Sequence, residues 1–456
     1  MSYAESASAL VFQRGTRISF EGTLGRPLAE GGSGRVFEAF RRPGGPGDVF
    51  VAKVAKMGSE RILEVERRAC ELLDHPNVVR SLGAARSREL GRVLALERLG
   101  TNPLLALNGR DARPAFRDPG SYYYPLPPGT ALELAFDLVH ALAYVHARGF
   151  AHGDVKLGNF MVRTPRAGGS SRDVLASVAR GSFDGVLIDL SSVRPKTVLD
   201  EIARGKRPAE HGPGITPLYA PPEAVVAKGG ARPVYSTAMD VYAFGLVLYA
   251  MVTGRAPYAS VCTPRELRDL DVMREIKSAE GRGVLSPVDE SAFDAVPLHD
   301  VAFVRGARHG WPVFRSRVAD LARRCLDRDP ERRLRAVAAR DYLARELLVV
   351  PAREASGRRF VQGLVSMRPG ANRLLGDSPH AGIKVAFAGG EIVAEERAPR
   401  PARHERSREQ PRRPHRPVVG RPVTVPVTER PVAAVAPALP VLEGFADSAE
   451  AASQFR

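Results

Sequence analysis

Cysteine is scarce in this chain of 456 residues: Cys70, Cys262 and Cys325 are the three, far apart and odd in number. A disulfide framework needs paired cysteines and a thiolate metal site needs them closely spaced, so both are excluded and a reducing compartment is the expectation. Long apolar runs are missing as well. No stretch reaches the length of about 18 apolar residues that marks a bilayer-crossing helix. The opening "MSYAESASALVFQRG" lacks the charged, then apolar pattern of a secretory leader. The expectation is a soluble intracellular protein, cytoplasmic or nuclear, with no membrane partner. No internal repeat interrupts the chain.

Positive charge, by contrast, is in excess, with 67 Lys and Arg against 51 Asp and Glu and a formal net charge of +16. Such a balance suits nucleic acid, an acidic surface or acidic proteins, depending on where the charge sits. Much of it is concentrated. Between Arg397 and Arg430 ten Arg face three Glu, interleaved with seven prolines. That segment has almost nothing to bury, so residues 349–456 read as a basic, largely disordered tail. The tail is either a solvated linker or a docking or nuclear-targeting element, with acidic partners or nucleic acid as what such an arm would meet. The remainder is apolar enough for a sizeable core, at 44% hydrophobic residues overall.

Residues 1–20 read as a short lead-in. Strand patterns follow at "RVFEAF", "VFVAKVAK" and "RVLALERL", with one amphipathic helix at "SERILEVERRACELLD". After the connection "RDPGSYYYPLPPG", helical patterns dominate: "TALELAFDLVHALAYVHARG", "TAMDVYAFGLVLYAMVTG", "SRVADLARRCLDRD" and "AVAARDYLARELL". The fold class is therefore α+β and bilobal, with a small β-rich lobe over 21–100 and a larger helical lobe over 101–348. The stretch "KVAFAGGEIVA" beyond it has the pattern of a hairpin.

In "LAEGGSGRVFEA", Ala29, Gly31 and Gly34 precede Val36 in the frame of a glycine-rich loop, where small residues let backbone N–H groups approach phosphates. A plain hairpin turn is the competing reading, and Ala29 stands where such loops carry a first glycine. Lys53 follows in "VFVAKVAK", where strand alternation turns Val51 and Lys53 to one face. A lysine on a buried face needs an anion, either a ligand phosphate or a helix glutamate. Lys56, nearer the strand's end, competes for this role. The next helix offers Glu66, ten residues before Pro76 of "HPNVV", and Glu64 as the alternative partner. Farther on, "FAHGDVKLGNFMV" groups Asp154, Lys156 and Asn159. "SFDGVLIDLSSV" holds Asp184 before its apolar run and Asp189 after it, and the position after the strand favours Asp189.

Taken in order, these signatures resemble the eukaryotic-type protein kinase superfamily, over residues 22–348. The resemblance implies ATP in a cleft between the lobes. It also implies that Asp154 positions an acceptor hydroxyl and takes its proton, that Lys156 offsets the charge of the transferring group, and that Asn159 and Asp189 hold Mg2+. The phosphates would lie under Gly31 to Gly34, anchored by Lys53 with Glu66. Adenine would meet the backbone of Glu97 to Leu99 behind Leu96, between Val36, Val51 and Met161. His152 and Leu190 would join Cys70 in an apolar stack linking the lobes.

Small-molecule phosphotransferases of the aminoglycoside and choline type also carry a His-Gly-Asp loop with a downstream Asn. Four features oppose that reading. Lys156 is one, and "GITPLYAPPE", with Thr216 facing the substrate and Glu223 closing the segment, is another. The third is "MDVYAFGLVLYAMVTGRAPY", with Asp240 tied back to the loop, and the fourth is "CLDRDPERR", with Arg333 to pair with Glu223. The resemblance thus implies a serine/threonine protein kinase acting on protein substrates. A small-molecule kinase and a pseudokinase scaffold are the alternatives. Retention of Lys53, Glu66, Asp154, Asn159 and Asp189 argues against a scaffold.

Gly153 stands where the family carries an arginine that gathers a phosphorylated activation-loop residue, which predicts activity without that phosphorylation. Lys196, Arg204, Lys206 or Arg207 could order the loop instead. Ser191 replaces the family's glycine after Asp189 and Leu190. The missing arginine, Asp-hydrophobic-Ser and Pro-Pro-Glu are together similar to the conserved protein kinases of herpesviruses, while bacterial kinases of GC-rich genomes fit the composition too. The 29 residues between Asn159 and Asp189 predict an inserted surface loop at "TPRAGGSSRDVLASVARGS".

Overall fold

The computed structural model describes residues 10–14, 18–31, 34–42, 49–100, 128–164, 173, 177, 183–225, 232–263, 266–294, 311–347, 383–388 and 391–396. Its first lobe is a closed barrel of β1 (Leu10–Arg14), β2 (Ile18–Glu30), β3 (Gly34–Arg42), β4 (Val49–Ala55), β5 (Ser81–Ser87) and β6 (Gly91–Glu97), in the order β1-β2-β3-β4-β6-β5. Strand alternation sends Phe12, Phe37, Ala39, Phe50, Ala52, Val93 and Ala95 inward to one apolar cluster. The expected lead-in over 1–20 is corrected here, because β1 is part of the barrel. Phe12 is fully buried, stacked on Phe20 at 5.1 Å and edge-on to Phe50 at 5.2 Å, so burial of this ring holds β1 in the sheet.

Helix α1 (Glu60–Leu72) packs Leu63, Val65, Glu66, Ala69 and Cys70 inward. The apolar cluster that contains Leu63, Cys70, Leu94 and Leu96 continues without a break into the second lobe. There α2 (Pro128–Ala147) meets, through the loop that follows it, the two-residue β7 (Phe150–Ala151), and β8 (Phe160–Arg163) pairs antiparallel with β9 (Asp184–Leu187). β10 (Arg194–Pro195) returns to pair with β7, and α3 (Lys196–Ala203) follows.

The rest of this lobe is helical: α4 (Pro222–Val225), α5 (Thr237–Thr253), α6 (Leu270–Gly281), α7 (Ser291–Asp294), α8 (Trp311–Cys325) and α9 (Ala336–Tyr342), which runs on as a π-helical turn to Leu347. Helix α5 is apolar all round and buried from Met239 to Thr253, as a central helix must be. Ser236 caps its first turn by accepting from the Ala238 N–H, and Gly254 ends it at φ 71°. Beyond the lobes, β11 (Ile383–Ala388) and β12 (Glu391–Glu396) form the hairpin read from "KVAFAGGEIVA". The remainder of the basic tail, the connection "RDPGSYYYPLPPG" up to Pro127, and the inserted loop apart from Thr164, Asp173 and Ser177 lie outside the described residues.

Gly245 marks a close approach within the helical core, since a Cβ there would stand 2.9 Å from Cys325 Cβ and 3.0 Å from Leu326 Cγ. Gly245→Val should lower the unfolding free energy by about 1–3 kcal/mol, because a packed core resists added volume. Urea denaturation followed by circular dichroism measures this, and an unchanged midpoint would show that the two helices part freely.

Candidate active site

Strand β4 turns Lys53 into the space between the lobes, where apolar neighbours leave it 8% exposed. Its ammonium donates to Glu66 Oε2 on α1 at 2.6 Å and to Asp189 Oδ1, just after β9, at 2.9 Å. Burial works against the charge, but the two carboxylates outweigh it and hold the Lys53 pKa above the usual lysine range. Burial also opposes ionisation of Asp189, yet the Lys53 charge brings its pKa down to about 2. Glu66 is pushed up, first by its own burial. Glu66 and Asp189 are thus Lys53's partners. Glu64 instead accepts from Arg67, Arg68 and Arg92, and Lys56 pairs with Glu30 at 2.9 Å near the surface.

The loop after β7 is fixed from below. Asp240 of α5 is buried and accepts from the N–H groups of His152 at 2.7 Å and Gly153 at 2.8 Å, while His146 Nε2 lies 2.8 Å away. His152 is fully buried. Its Nδ1 accepts from the Asp154 N–H at 3.3 Å, so Nε2 carries the proton and donates to Ile188 O at 3.2 Å. A ring engaged on both sides is a structural residue, as its position in the predicted stack implies.

Asp154 emerges at the end of this scaffold. Its Oδ2 accepts from Lys156 Nζ at 2.6 Å and from Asn159 Nδ2 at 3.2 Å, and its Oδ1 accepts from the Thr216 hydroxyl at 2.7 Å. Lys156 also donates to Thr216 Oγ1 at 2.9 Å. Asn159 Nδ2 donates in addition to Asp154 O at 2.8 Å, and the Ile188 N–H donates to Asn159 O at 2.9 Å, which ties the loop to the residue before Asp189. Asp189 itself has φ 59°, a left-handed conformation that aspartate tolerates and that sets the start of the short turn Leu190 to Ser192.

Around the cleft, Val36, Val51 and Met161 are half-buried, whereas Leu96 and Leu99 are buried. Gly31 N donates to Gly34 O at 2.9 Å next to the last β2–β3 pairs, Ala29 with Val36 and Glu30 with Arg35, and residues 32 and 33 lie outside the described residues. The side chain of Glu97 is held in a fork from Arg163 of β8, at 2.7 and 2.9 Å, and its backbone N–H donates to Arg80 O at 3.0 Å. Arg163 also donates to Pro76 O at 2.7 Å and stands 3.7 Å from Asp184 Oδ2. Asp184, the rejected acid, is therefore a buried structural residue at the start of β9. Arg163 was not legible as a site residue, because its partner is 66 positions away.

The closing ion pair of the second lobe is also in place. Arg333 donates to Glu223 at 2.7 Å and to Ala238 O at 3.2 Å, joining the end of the segment that carries Thr216 to α5. The donor set of Asn159 and Asp189, an amide and a carboxylate, offers the hard oxygens that Mg2+ takes. Among the described residues no cluster of three or more His, Cys, Asp or Glu could hold a metal alone. The pair fits an ion that draws its remaining ligands from water and substrate phosphates.

The family model for the protein kinase domain matches residues 200–344, which include Thr216, Glu223, Asp240 and Arg333. Serine/threonine-protein kinase PkaA of Streptomyces coelicolor is 30% identical over 277 residues, covering 57% of this chain and 42% of that protein. Serine/threonine-protein kinase pkn2 of Myxococcus xanthus is 26% identical, covering 51% of this chain and 24% of that protein. The chain therefore spans less than half the length of these relatives. A solved structure of the CAK complex from Chaetomium thermophilum bound to ATP-gamma-S aligns with TM-score 0.47 and 18% identity over 70% of this chain and 89% of that one.

Lys53→Met should lower the unfolding free energy by about 3–5 kcal/mol, because Glu66 is left buried without its cation. Lys53→Met/Glu66→Gln should recover a large part of the loss. Urea unfolding at neutral pH checks both, and equal midpoints for wild type and the single variant would show that the ion pair contributes nothing to folding.

Proposed function

We propose, for a chain that belongs to the eukaryotic-type serine/threonine protein kinase superfamily, that this protein transfers the γ-phosphate of ATP to serine or threonine hydroxyls of other proteins. The observation that carries the reading is Asp154, whose carboxylate already accepts a threonine hydroxyl at 2.7 Å while Lys156 stands 2.6 Å from its other oxygen. An acceptor hydroxyl in the place of Thr216 Oγ1 would give its proton toward Asp154 as it attacks phosphorus, and Lys156 would offset the charge on the transferring group. Lys53, held by Glu66, meets the nucleotide phosphates, with Gly31 and Gly34 beside them. Asn159 and Asp189 would hold Mg2+, which supplies charge neutralisation on the phosphates. The adenine lies against the backbone of Glu97 to Leu99.

Activity without activation-loop phosphorylation is the finer part of this reading, and two contacts support it. Gly153 has φ 86°, and a Cβ there would meet Pro213 Cβ at 2.5 Å and Ser192 O at 2.7 Å, so no side chain fits at the position of the family's phosphate-gathering arginine. Arg194 links the arms of the segment without any phosphate. It is buried and donates to Ser191 O at 3.2 Å, Val193 O at 3.0 Å and, across the segment, His211 O at 3.1 Å. Burial lowers its pKa to about 10, still cationic at neutral pH. The basic tail would add salt-sensitive association with acidic partners or nucleic acid.

The test is incubation of purified protein with labelled ATP, Mg2+ and a mixed protein pool, beside aminoglycoside and choline acceptors. Label on proteins supports the proposal, label only on small molecules favours the other kinase class, and no label favours a scaffold. Asp154→Asn and Asp189→Asn should each lower the rate by about a hundredfold or more. Asp184→Asn should keep it within about threefold while lowering thermal stability. Equal, severe losses for Asp184 and Asp189 in folded protein would misplace the metal site.

Phosphatase treatment, continued until mass spectrometry finds residues 190–222 free of phosphate, should leave the initial rate within about threefold, roughly 0.65 kcal/mol of barrier. A hundredfold drop recovered on rephosphorylation of Thr197 or Thr216 would overturn activation-loop independence.

A further inference from the structure

Beneath the turn that carries Thr216 lies a buried polar cluster that the phosphotransfer site does not use. Lys277 of α6 is fully buried, and Glu280, one turn on, is 1% exposed. The Lys277 ammonium donates to the hydroxyls of Tyr258 and of Tyr242, the latter at 3.3 Å, and to Leu218 O at 3.4 Å, with Glu280 Oε2 at 3.5 Å. It also stands over both tyrosine rings, 5.0 Å from the Tyr242 centroid and 4.7 Å from that of Tyr258. Glu280 accepts from Tyr242 and, at 2.7 Å, from Tyr258. Leu218 belongs to the same short turn as Thr216, which hydrogen-bonds Asp154.

Two features mark the cluster as more than a tolerated ion pair. A buried ammonium with one carboxylate at 3.5 Å is weak evidence for a stabilising role, because burying the charge costs about as much as the pair returns. Tyr258 has φ 60°, a strained conformation for a bulky residue, which persists only where its surroundings dictate it. The main-chain group that receives the charge is the Leu218 carbonyl, on the turn facing the acceptor.

We propose that Lys277 is a positioning residue for the protein acceptor: its buried ammonium holds the Leu218 carbonyl and so fixes the turn from Thr216 to Ala220 against which the substrate chain lies. This rests on the protein-kinase reading above. Burial depresses the Lys277 pKa to about 8, opposed by Glu280, so the hold weakens as pH rises through that value. The charged and titratable groups around it are Glu280 on its own helix, Tyr242 on α5, Tyr258 after α5, and Glu223 and Arg333.

The experiment compares wild type, Glu280→Gln and Lys277→Met/Glu280→Gln, the last leaving no unpaired buried charge, with dephosphorylated casein as acceptor. The double variant should raise the apparent KM for casein about tenfold, as loss of a charged hydrogen bond implies, with the KM for ATP unchanged. In wild type the casein KM should rise about threefold between pH 7 and 9, and in the double variant it should stay flat. Glu280→Gln, which removes the opposing carboxylate, should move the wild-type rise to lower pH. An unchanged casein KM in the double variant, or the same pH rise in it, overturns the inference. A wild type that labels no protein overturns the kinase reading itself.

Discussion

An ammonium group cannot stay charged among apolar side chains without an anion beside it, and Lys53 has two. Glu66 fixes where α1 lies against the barrel, and Asp189 fixes the start of the segment after β9. One lysine thus connects a strand, a helix and a loop drawn from both lobes. The same constraint sets the chemistry. A lysine whose charge is stabilised by two carboxylates stays cationic at any working pH, and Asp189, held near pKa 2, stays anionic and ready for a metal.

A second fixed point lies below the loop. Asp240, buried on the central helix, accepts two successive backbone N–H groups, from His152 and Gly153, so the residues that follow leave the core in one direction. Asp154 inherits its place from that anchor, and Asn159 ties back to it. Arg333 and Glu223 close the other side, between the segment bearing Thr216 and the same helix. The site is therefore held by buried charges on rigid elements, which is how a group-transfer centre avoids reorganisation during reaction.

Much of this was legible in the sequence because the spacing was local or tied to a motif. The offset of Glu66 from "HPNVV" singled it out over Glu64, and the place of Asp189 after its apolar run set it apart from Asp184. Other features left no local signal. The strand over Leu10–Arg14 is short, and its one strong determinant is Phe12, whose partners Phe20 and Phe50 come from other strands. The fork between Glu97 and Arg163 joins residues far apart in the chain. Lys277 and Glu280, three apart on a helix, carry no local signal of burial, and Tyr242 and Tyr258, which pack over them, come from outside that helix.

The most direct test of the central claim is the shift in unfolding free energy that Mg-ATP brings. If Lys53, Glu66 and Asp189 form the nucleotide site, wild type should gain about 2.7 kcal/mol at a ligand concentration one hundred times the dissociation constant. Lys53→Met/Glu66→Gln and Asp189→Asn, each folded, should gain little at that same concentration. An equal gain in all three proteins would place the nucleotide elsewhere and contradict the account.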